Sequence, residues 1–430
     1  MAKRGALTAA EQQYLGQRRQ AGATLAMIAV ELSCSRETIR KWWRRQRRGQ
    51  SAERRGRPAR GRLSSYPSEL VEAALKLKRS HPHWGPANVR LELKRDTRFG
   101  SPPWPSAAGL SALFKARCPE ALQPHRRQVY PARPPTLVYQ PHQRWQIDGK
   151  EKVPLGAADV ATILNVRDPA GALMIASQAI VTTTPKGWRK VTQAEVQETL
   201  RTAFTHWGLP LQVQTDHEVV YTGAPTFDFP SAFTLWLVGL GLQHVTSRER
   251  RPIDQAQVER GHRTLGDMSW KDQPSADLPQ LQALLDERRA RYNQELPVRA
   301  ADCAGQPPLI AHPQARHSGR PFERALEWLL FDLSRVDAYL AQLVWTRQIT
   351  ATGDVSVGSR PYYVGRAHLK QTVSVQFLPK TRTFRFQLAD STLVNELPAI
   401  GLNALDLIGY NPPQEILPTP CQIPLPLQGV

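Results

Sequence analysis

The order of hydrophobic periodicities between Arg144 and Met268 constrains this chain more than any other feature. Three runs of alternating apolar and polar residues follow one another: "RWQID", "ADVATILNVRD" and "ALMIASQAIVTT", the last two joined by Asp168-Pro169-Ala170-Gly171. Such short connections predict antiparallel neighbours in one sheet. A helix comes next. Thr192 and Glu195 form a capping box, Val196, Leu200, Ala203 and Trp207 make an apolar stripe, and Gly208 stops the helix before Pro210. The pattern then reads strand ("LQVQT"), buried helix (about Phe233 to Leu240), strand ("LQHVT"), and a helix opened by Pro252 and Asp254. A strand meander followed by alternating helices and strands predicts a mixed α/β sheet. The first and fourth strands are expected to end on Asp148 and Asp216, and Glu259 rides the last helix. A carboxylate at a strand's end is either a turn former or a ligand on a rigid support, and "VQTDHEVVYTG" alone leaves both open.

With 430 residues, 41% of them apolar, the chain can build several cores. Its net charge of +20 calls for a polyanionic partner. The longest apolar run, Phe229 to Leu242, is too short to span a bilayer, so no membrane partner is expected. The first residues lack an apolar secretory core, which predicts a cytoplasmic location. Cys34, Cys118, Cys303 and Cys421 lie far apart without a C-x-x-C pair, which predicts reduced thiols rather than a zinc ribbon or a disulfide framework.

The charge concentrates at the start, where residues 1–62 hold 16 Lys or Arg against 4 Asp or Glu. Thr8 with Glu11 opens a helix to about Gln20, "TLAMIAVEL" makes a short second one, and Ser35 caps a third, "RETIRKWWRRQRR". Ile39 and Trp43 face inward in that third helix, and Arg36, Arg40, Arg44 and Arg47 face out, with Arg48 following. Residues 1–48 thus have the layout of a helix-turn-helix. Arg36 and Arg40 are placed to reach base edges in a major groove, and Arg44, Arg47 and Arg48 to contact backbone. A solvated basic face is the plainer alternative. In the linker 49–65, Arg55-Gly56-Arg57-Pro58 resembles the core of a minor-groove AT-hook, against the simpler reading of a flexible tether. Residues 66–118 predict a second helical, DNA-binding unit, with helices from Ser68 to about Arg79, Ala87 to Arg95 and Ser106 to Ala116. Trp84 reads there as core packing, and His81 and His83 as turn residues. A Pro-rich linker, 119–141, leads to the α/β core, 142–312. Residues 313–343 are expected as a connecting helix, 344–395 as a small β-barrel carrying Lys370, Lys380, Arg382 and Arg385 for phosphate contacts, and 396–430 as an unstructured Pro-rich tail.

Taken together, the sequence resembles the DDE transposases and integrases of bacterial insertion-sequence type, with a retroviral-integrase-like catalytic core. Gln255-Ala256-Gln257-Val258-Glu259-Arg260 with His262-Arg263-Thr264-Leu265 looks like the family's final-acid helix, and Tyr292-Asn293 with Pro297 like its closing segment. "HPHWGPANV" resembles its second helical unit, and "TGDVSVGSRPYYVG" with "TVSVQF" its C-terminal barrel. Two departures stand out. His217-Glu218 follow the second acid where the family usually has a small or amide residue and then glycine. The 42 residues between Asp216 and Glu259 also exceed the usual spacing.

The resemblance implies an RNase H-like core between all-α modules and an SH3-like barrel, with Asp148, Asp216 and Glu259 as catalytic carboxylates. It implies two Mg²⁺ or Mn²⁺ ions, Asp148 bridging them and the other acids holding one each, and Arg263 steadying the scissile phosphate. Hard oxygen donors suit such ions, which neutralise charge on the entering and leaving oxygens of a phosphodiester. The implied activity is cleavage and strand transfer at mobile-element ends. The implied partners are double-stranded DNA, as terminal repeats and target, and further copies of the chain. A DNA-binding regulator that has lost the chemistry, and an RNase H-like nuclease that does not join, are the alternatives. Arg263 has a surface ion pair as its alternative, and for His217 contact with the departing strand stands against simple packing.

Overall fold

The structure is a computed structural model that describes residues 7–48, 63–100, 103–122, 140–223, 228–247, 256–272, 274–299 and 303–411. They fall into two compact units, one ending at Ser64 and the other beginning at Ser65. The sequence readings at Arg55, Arg57, Pro252, Asp254, Gln255 and Cys421 lie outside the described residues.

The first unit holds three helices, α1 (Ala9–Gln20), α2 (Leu25–Glu31) and α3 (Arg36–Arg47). Each begins where a side-chain oxygen takes an otherwise orphaned backbone N–H: Thr8 with the Glu11 capping box, Thr24, and Ser35. Leu15, Ile28 and Ile39 are fully buried between them, so the small core draws on all three helices. Arg36, Arg40, Arg44, Arg47 and Arg48 are exposed. Arg45 lies over the ring of Trp42, with 5.2 Å between guanidinium carbon and ring centroid.

The second unit opens with α4 (Ser68–Ser80), α5 (Pro86–Arg95) and α6 (Ala107–Arg117). A five-stranded sheet follows, with β1 (Arg144–Leu155), β2 (Asp159–Asp168), β3 (Leu173–Val181), β6 (Gln212–Thr215) and β7 (Gln243–Thr246) in the order β3-β2-β1-β6-β7. The first three strands pair antiparallel, and β6 and β7 continue parallel, as the succession of patterns predicts. Between β3 and α7 (Gln193–Trp207) sits a small hairpin of β4 (Thr183–Thr184) and β5 (Gly187–Trp188) that the sequence did not reveal. Short α8 (Val219–Thr222) and apolar α9 (Ala232–Gly239) separate β6 from β7. One sheet face packs Trp145, Ile147, Leu164 and Val213 against Leu200, Phe204 and Trp236 of α7 and α9. The other packs Ile163 and Met174 against Leu265 and Met268 of α10 (Ala256–Met268) and Leu281 and Leu285 of α11 (Leu278–Gln294).

The helices of residues 66–118 are bound into this same unit. Arg291 of α11, 2% exposed, pairs with Glu92 at 2.9 Å and donates to the Asn88 carbonyl. His83 is more than a turn former: its backbone N–H and its ring both meet the Asp272 carboxylate. Trp84 is buried, stacked on His81 and faced by Arg288 and Arg291.

Three expectations need correction. The strand carrying Asp148 does not end there. It continues to Leu155 through a bulge between Lys150 and Val153, because Val153 and Leu155 find apolar burial that the charged run Lys150-Glu151-Lys152 concealed. After the short α12 (Pro308–Ala311), the connecting helix expected within 313–343 is broken into two 3₁₀ turns, α13 (Glu327–Leu330) and α14 (Leu333–Ala341). Phe331 leaves the helix to pack where any side chain on Gly239 would collide with its ring, and Asp332 then caps α14. The tail expected as unstructured from residue 396 is structured as far as residue 411. β13 (Leu393–Pro398) is the edge of a four-stranded antiparallel sheet with β8 (Val344–Gln348), β11 (Thr372–Leu378) and β12 (Thr383–Gln387), and α15 (Ala404–Ile408) buries Leu407 and Ile408.

A second pair, β9 (Asp354–Val357) with β10 (Arg360–Tyr363), meets that sheet through Tyr362, whose ring lies 5.4 Å from Phe384 and 5.9 Å from Phe386. Lys370 and Lys380 are exposed there. Arg382 is tied instead to Asp337, and Arg385 to Glu396.

Candidate active site

The register of β1 against β6 determines which acids meet. Gln146 pairs with Gln214, and their buried amides bond at 3.2 Å on one sheet face. Asp148 lies two residues beyond Gln146 on β1, and Asp216 directly follows the last residue of β6, so the two acids reach the same end of this strand pair. Asp216 caps its own turn, accepting the Glu218 backbone N–H at 2.9 Å, so it is turn former and strand-end acid at once. Burial above all, together with the charges of Glu218 and Asp148, pushes its carboxyl up to about 6, against the pull of the Glu218 N–H and of Lys190. Lys190 pairs with Glu218 at 2.7 Å. Tyr221 is fully enclosed beneath the pair, and burial with the adjacent carboxylates keeps its phenol protonated.

Asp148 is held by a relay that the sequence reading did not anticipate. Its carboxylate accepts the Gly149 N–H at 2.9 Å and lies 2.9 Å from His262 Nε2. Opposite Asp148 on β2 stands Asn165, and opposite Asn165 on β3 stands Ser177, a row of three on the face that α10 covers. Ser177 donates to Asn165 Oδ1 at 2.6 Å, and the Asn165 amide nitrogen, a donor, lies 2.7 Å from His262 Nδ1. With Nδ1 accepting, neutral His262 carries its proton on Nε2 and donates it to Asp148. The imidazole therefore latches α10 onto the sheet and fixes one lone pair of the carboxylate. The only sequence signal was His262 lying three residues beyond Glu259 on the same helical face.

Glu259 is exposed on α10 and makes no hydrogen bond or ion pair with a described residue. Among the described residues, no three His, Cys, Asp or Glu side chains converge closely enough to hold a cation. Asp148 and Asp216 are thus brought together, and Glu259 is held one helical turn from the latch without joining them. Arg263 is likewise exposed, with no described ion-pair partner. His217 packs, its ring bonding the Ser247 carbonyl.

A carboxyl raised in the folded state binds its proton more tightly there than in the unfolded chain. Its contribution therefore stabilises the fold as pH drops from above 6 toward the unfolded value near 4, and is lost again as pH rises. Asp216→Asn should remove this dependence and raise the metal-free unfolding free energy at pH 8 by about 1 kcal/mol, once solvent screening of a part-exposed group is allowed for. Mg²⁺ should stabilise the wild type by mass action and the variant hardly at all. Equal Mg²⁺ responses would leave Asp216 as a turn former only.

No described helix is long and apolar enough to cross a membrane. No family model matches the chain. Among solved structures it is similar to the catalytic core domain of BIV integrase, 17% identical over 41% of this chain and 97% of that one, with a TM-score of 0.29. It is similar also to the HTLV-2 integrase catalytic core in complex with magnesium, in trimeric form, 16% identical over 40% and 97%, with a TM-score of 0.29. The simian T-cell lymphotropic virus intasome in complex with PP2A regulatory subunit B56 gamma is matched over 76% of this chain and 96% of that one, at 15% identity and a TM-score of 0.32. Superpositions this loose carry no residue roles across to this chain, whose chemistry has to be read from its own carboxylates.

Proposed function

We propose that this chain is a DDE-type polynucleotidyl transferase, a transposase or integrase that cuts DNA at the ends of a mobile element and joins them to target DNA. The observation that carries the reading is the carboxylate pair. Asp148 on β1 and Asp216, directly after the neighbouring parallel strand β6, lie close enough that Asp148 adds to the burial and the Glu218 charge that raise Asp216. An acidic pair with oxygen donors only fits a hard divalent cation, Mg²⁺ or Mn²⁺. Such ions, held by Asp148 and Asp216 and completed by Glu259, would offset the charge that develops on the entering and leaving oxygens. The chain's own part is placement. β1 and β6 fix the two aspartates, His262 orients Asp148, and α10 carries Glu259 and Arg263 along the same edge.

The first unit serves as a helix-turn-helix for the terminal repeats, the β8–β13 region as a small SH3-like barrel, and further copies of the chain assemble on the DNA. One observation favours the non-catalytic regulator as second reading: Glu259 stands apart from the aspartates. The deciding experiment is strand transfer with full-length protein, Mg²⁺ and DNA bearing the flanking terminal repeats. Joined product supports the transferase, cleavage alone the nuclease, and binding alone the regulator.

Recognition has its own test in the exposed arginines of α3. Arg40→Ala should cut the discrimination between terminal and random DNA by about 1–3 kcal/mol. Arg47→Ala should weaken both equally and flatten the salt dependence. Competition binding at two salt concentrations separates these outcomes, and equal effects of the two variants would remove base reading from α3.

A further inference from the structure

The β4–β5 hairpin presents a tryptophan that the fold does not bury. Its base is firmly held. Thr182 is buried, Val160 N–H donates to Thr183 Oγ1 at 2.8 Å, and Arg189 makes a two-pronged bond to Glu195 at 2.6 and 2.8 Å. Its tip, Pro185 to Trp188, is exposed. A hairpin this short cannot stabilise itself and contributes little core, so Trp188, 38% exposed, is not explained by packing. One contact on the indole is cationic: Lys152 Nζ lies 4.5 Å from the ring centroid.

The nearby carboxylates Glu151, Glu195 and Glu218 are taken up by Lys190 and Arg189, which leaves three other cations. Lys150, Lys152 and Lys186 are exposed and have no ion-pair partner among the described residues. Two of them share a strand with Asp148. Lys150 and Lys152 lie two and four residues beyond Asp148 on β1, and Lys190, just past the hairpin, pairs with Glu218 beside Asp216. An exposed aromatic face among unneutralised lysines is the composition that binds single-stranded nucleic acid, the lysines following the backbone and the ring taking a base. Paired bases are already stacked inside a duplex, so only an unpaired one can lie on the indole.

We propose that the hairpin is a stacking platform for an unpaired nucleotide of the DNA strand leading away from the aspartate pair, with Trp188 as the stacking face and Lys150, Lys152 and Lys186 as its phosphate contacts. The placement beside the reacting strand rests on the function proposed above. The platform would hold the strand open next to the carboxylates and keep the flank from re-pairing across them.

The test uses the full-length chain without divalent cation and two duplexes, one blunt and one ending in a short single-stranded tail that carries 2-aminopurine. The wild type should quench the tail's fluorescence and prefer the tailed duplex. Trp188→Ala should abolish the quenching and weaken tailed binding about tenfold while leaving blunt binding unchanged, and Trp188→Phe should restore most of both. Lys150→Gln with Lys152→Gln should reduce the salt dependence of tailed binding. Persistent quenching in Trp188→Ala overturns the proposal. So does an unchanged ratio of tailed to blunt affinity, and if the melting midpoint also falls, Trp188 is a packing residue. Competition by polyglutamate but not by the tailed duplex would assign the patch to an acidic protein segment and overturn it too. Quenching through Trp188 in a protein that neither cuts nor joins would leave the platform standing and remove the transferase. Cutting and joining with no such quenching would do the reverse.

Discussion

On the transferase reading, Asp148→Asn is expected to lose cutting and joining together while its affinity for DNA ends stays within about twofold of wild type, because the phosphate contacts proposed for the arginines of α3 would dominate binding. The substitution is close to isosteric. The asparagine oxygen can still accept the proton that His262 Nε2 donates, so the relay from Ser177 through Asn165 and His262 survives and α10 stays latched to the sheet. What disappears is the charge, together with the second oxygen that accepts the Gly149 N–H. Asp216 should then titrate nearer the ordinary carboxylate range, since one of the groups raising it is gone. The measurement is strand transfer and cleavage in Mg²⁺, with end binding followed in parallel. Product at a tenth of the wild-type rate or more, a barrier change of only about 1.4 kcal/mol, would show that Asp148 is not a ligand of the reacting centre.

The fold was legible where its cause is local. Caps are written in three or four consecutive residues, so Thr8 with Glu11, Ser35, and Thr192 with Glu195 marked helix starts that the structure places at the same positions. The antiparallel pairing of the first three strands followed from connection lengths, and the later alternation of helices and strands from the switch of period between 2 and 3.6. The two aspartates were found for the same reason, each lying in a run whose alternation predicts a strand. What escaped depends on contacts distant in sequence. His262 meets Asp148 across 114 residues, and nothing in "ERGHRTL" says which strand lies beneath that helix face. The break at Phe331 is set by a glycine on α9, which no helical periodicity can encode. The β4–β5 hairpin has two-residue strands, too short for alternation to register. The extension of β1 past Asp148 was hidden because its bulge puts three charged residues where a strand pattern requires an apolar one.

Glu327 is the residue whose loss should cost the second unit most. Its carboxylate is wholly buried and takes four donors: Arg201 Nε at 2.7 Å and Nη2 at 3.1 Å, Trp236 Nε1 at 2.7 Å, and the Tyr410 hydroxyl at 2.9 Å. Burial first, and then the adjacent Glu327 charge, pushes the Tyr410 phenol up to about 12, so it remains a donor at any working pH. The cluster joins α7, α9, α13 and the segment after α15, and Arg201 also donates to the Ile408 carbonyl at 2.6 Å. Glu327→Ala would leave the Arg201 guanidinium, 5% exposed, with only the 3.9 Å contact to half-exposed Glu198 as counter-charge, and it would leave the buried Trp236 indole N–H unmet. Breaking a buried pair from one side costs about 3–5 kcal/mol. Glu327→Gln, which keeps the acceptor oxygen and loses the charge, should fall between that variant and wild type. Replacing both members, Arg201→Met with Glu327→Leu, should recover much of the loss, because it removes the unpaired charge rather than exposing it. Urea unfolding of the four proteins measures all of this. If Glu327→Ala lies within about 1 kcal/mol of wild type, the ion pair is compensated by its surroundings and the C-terminal segment is held by the apolar contacts of Leu402, Leu407 and Ile408 alone.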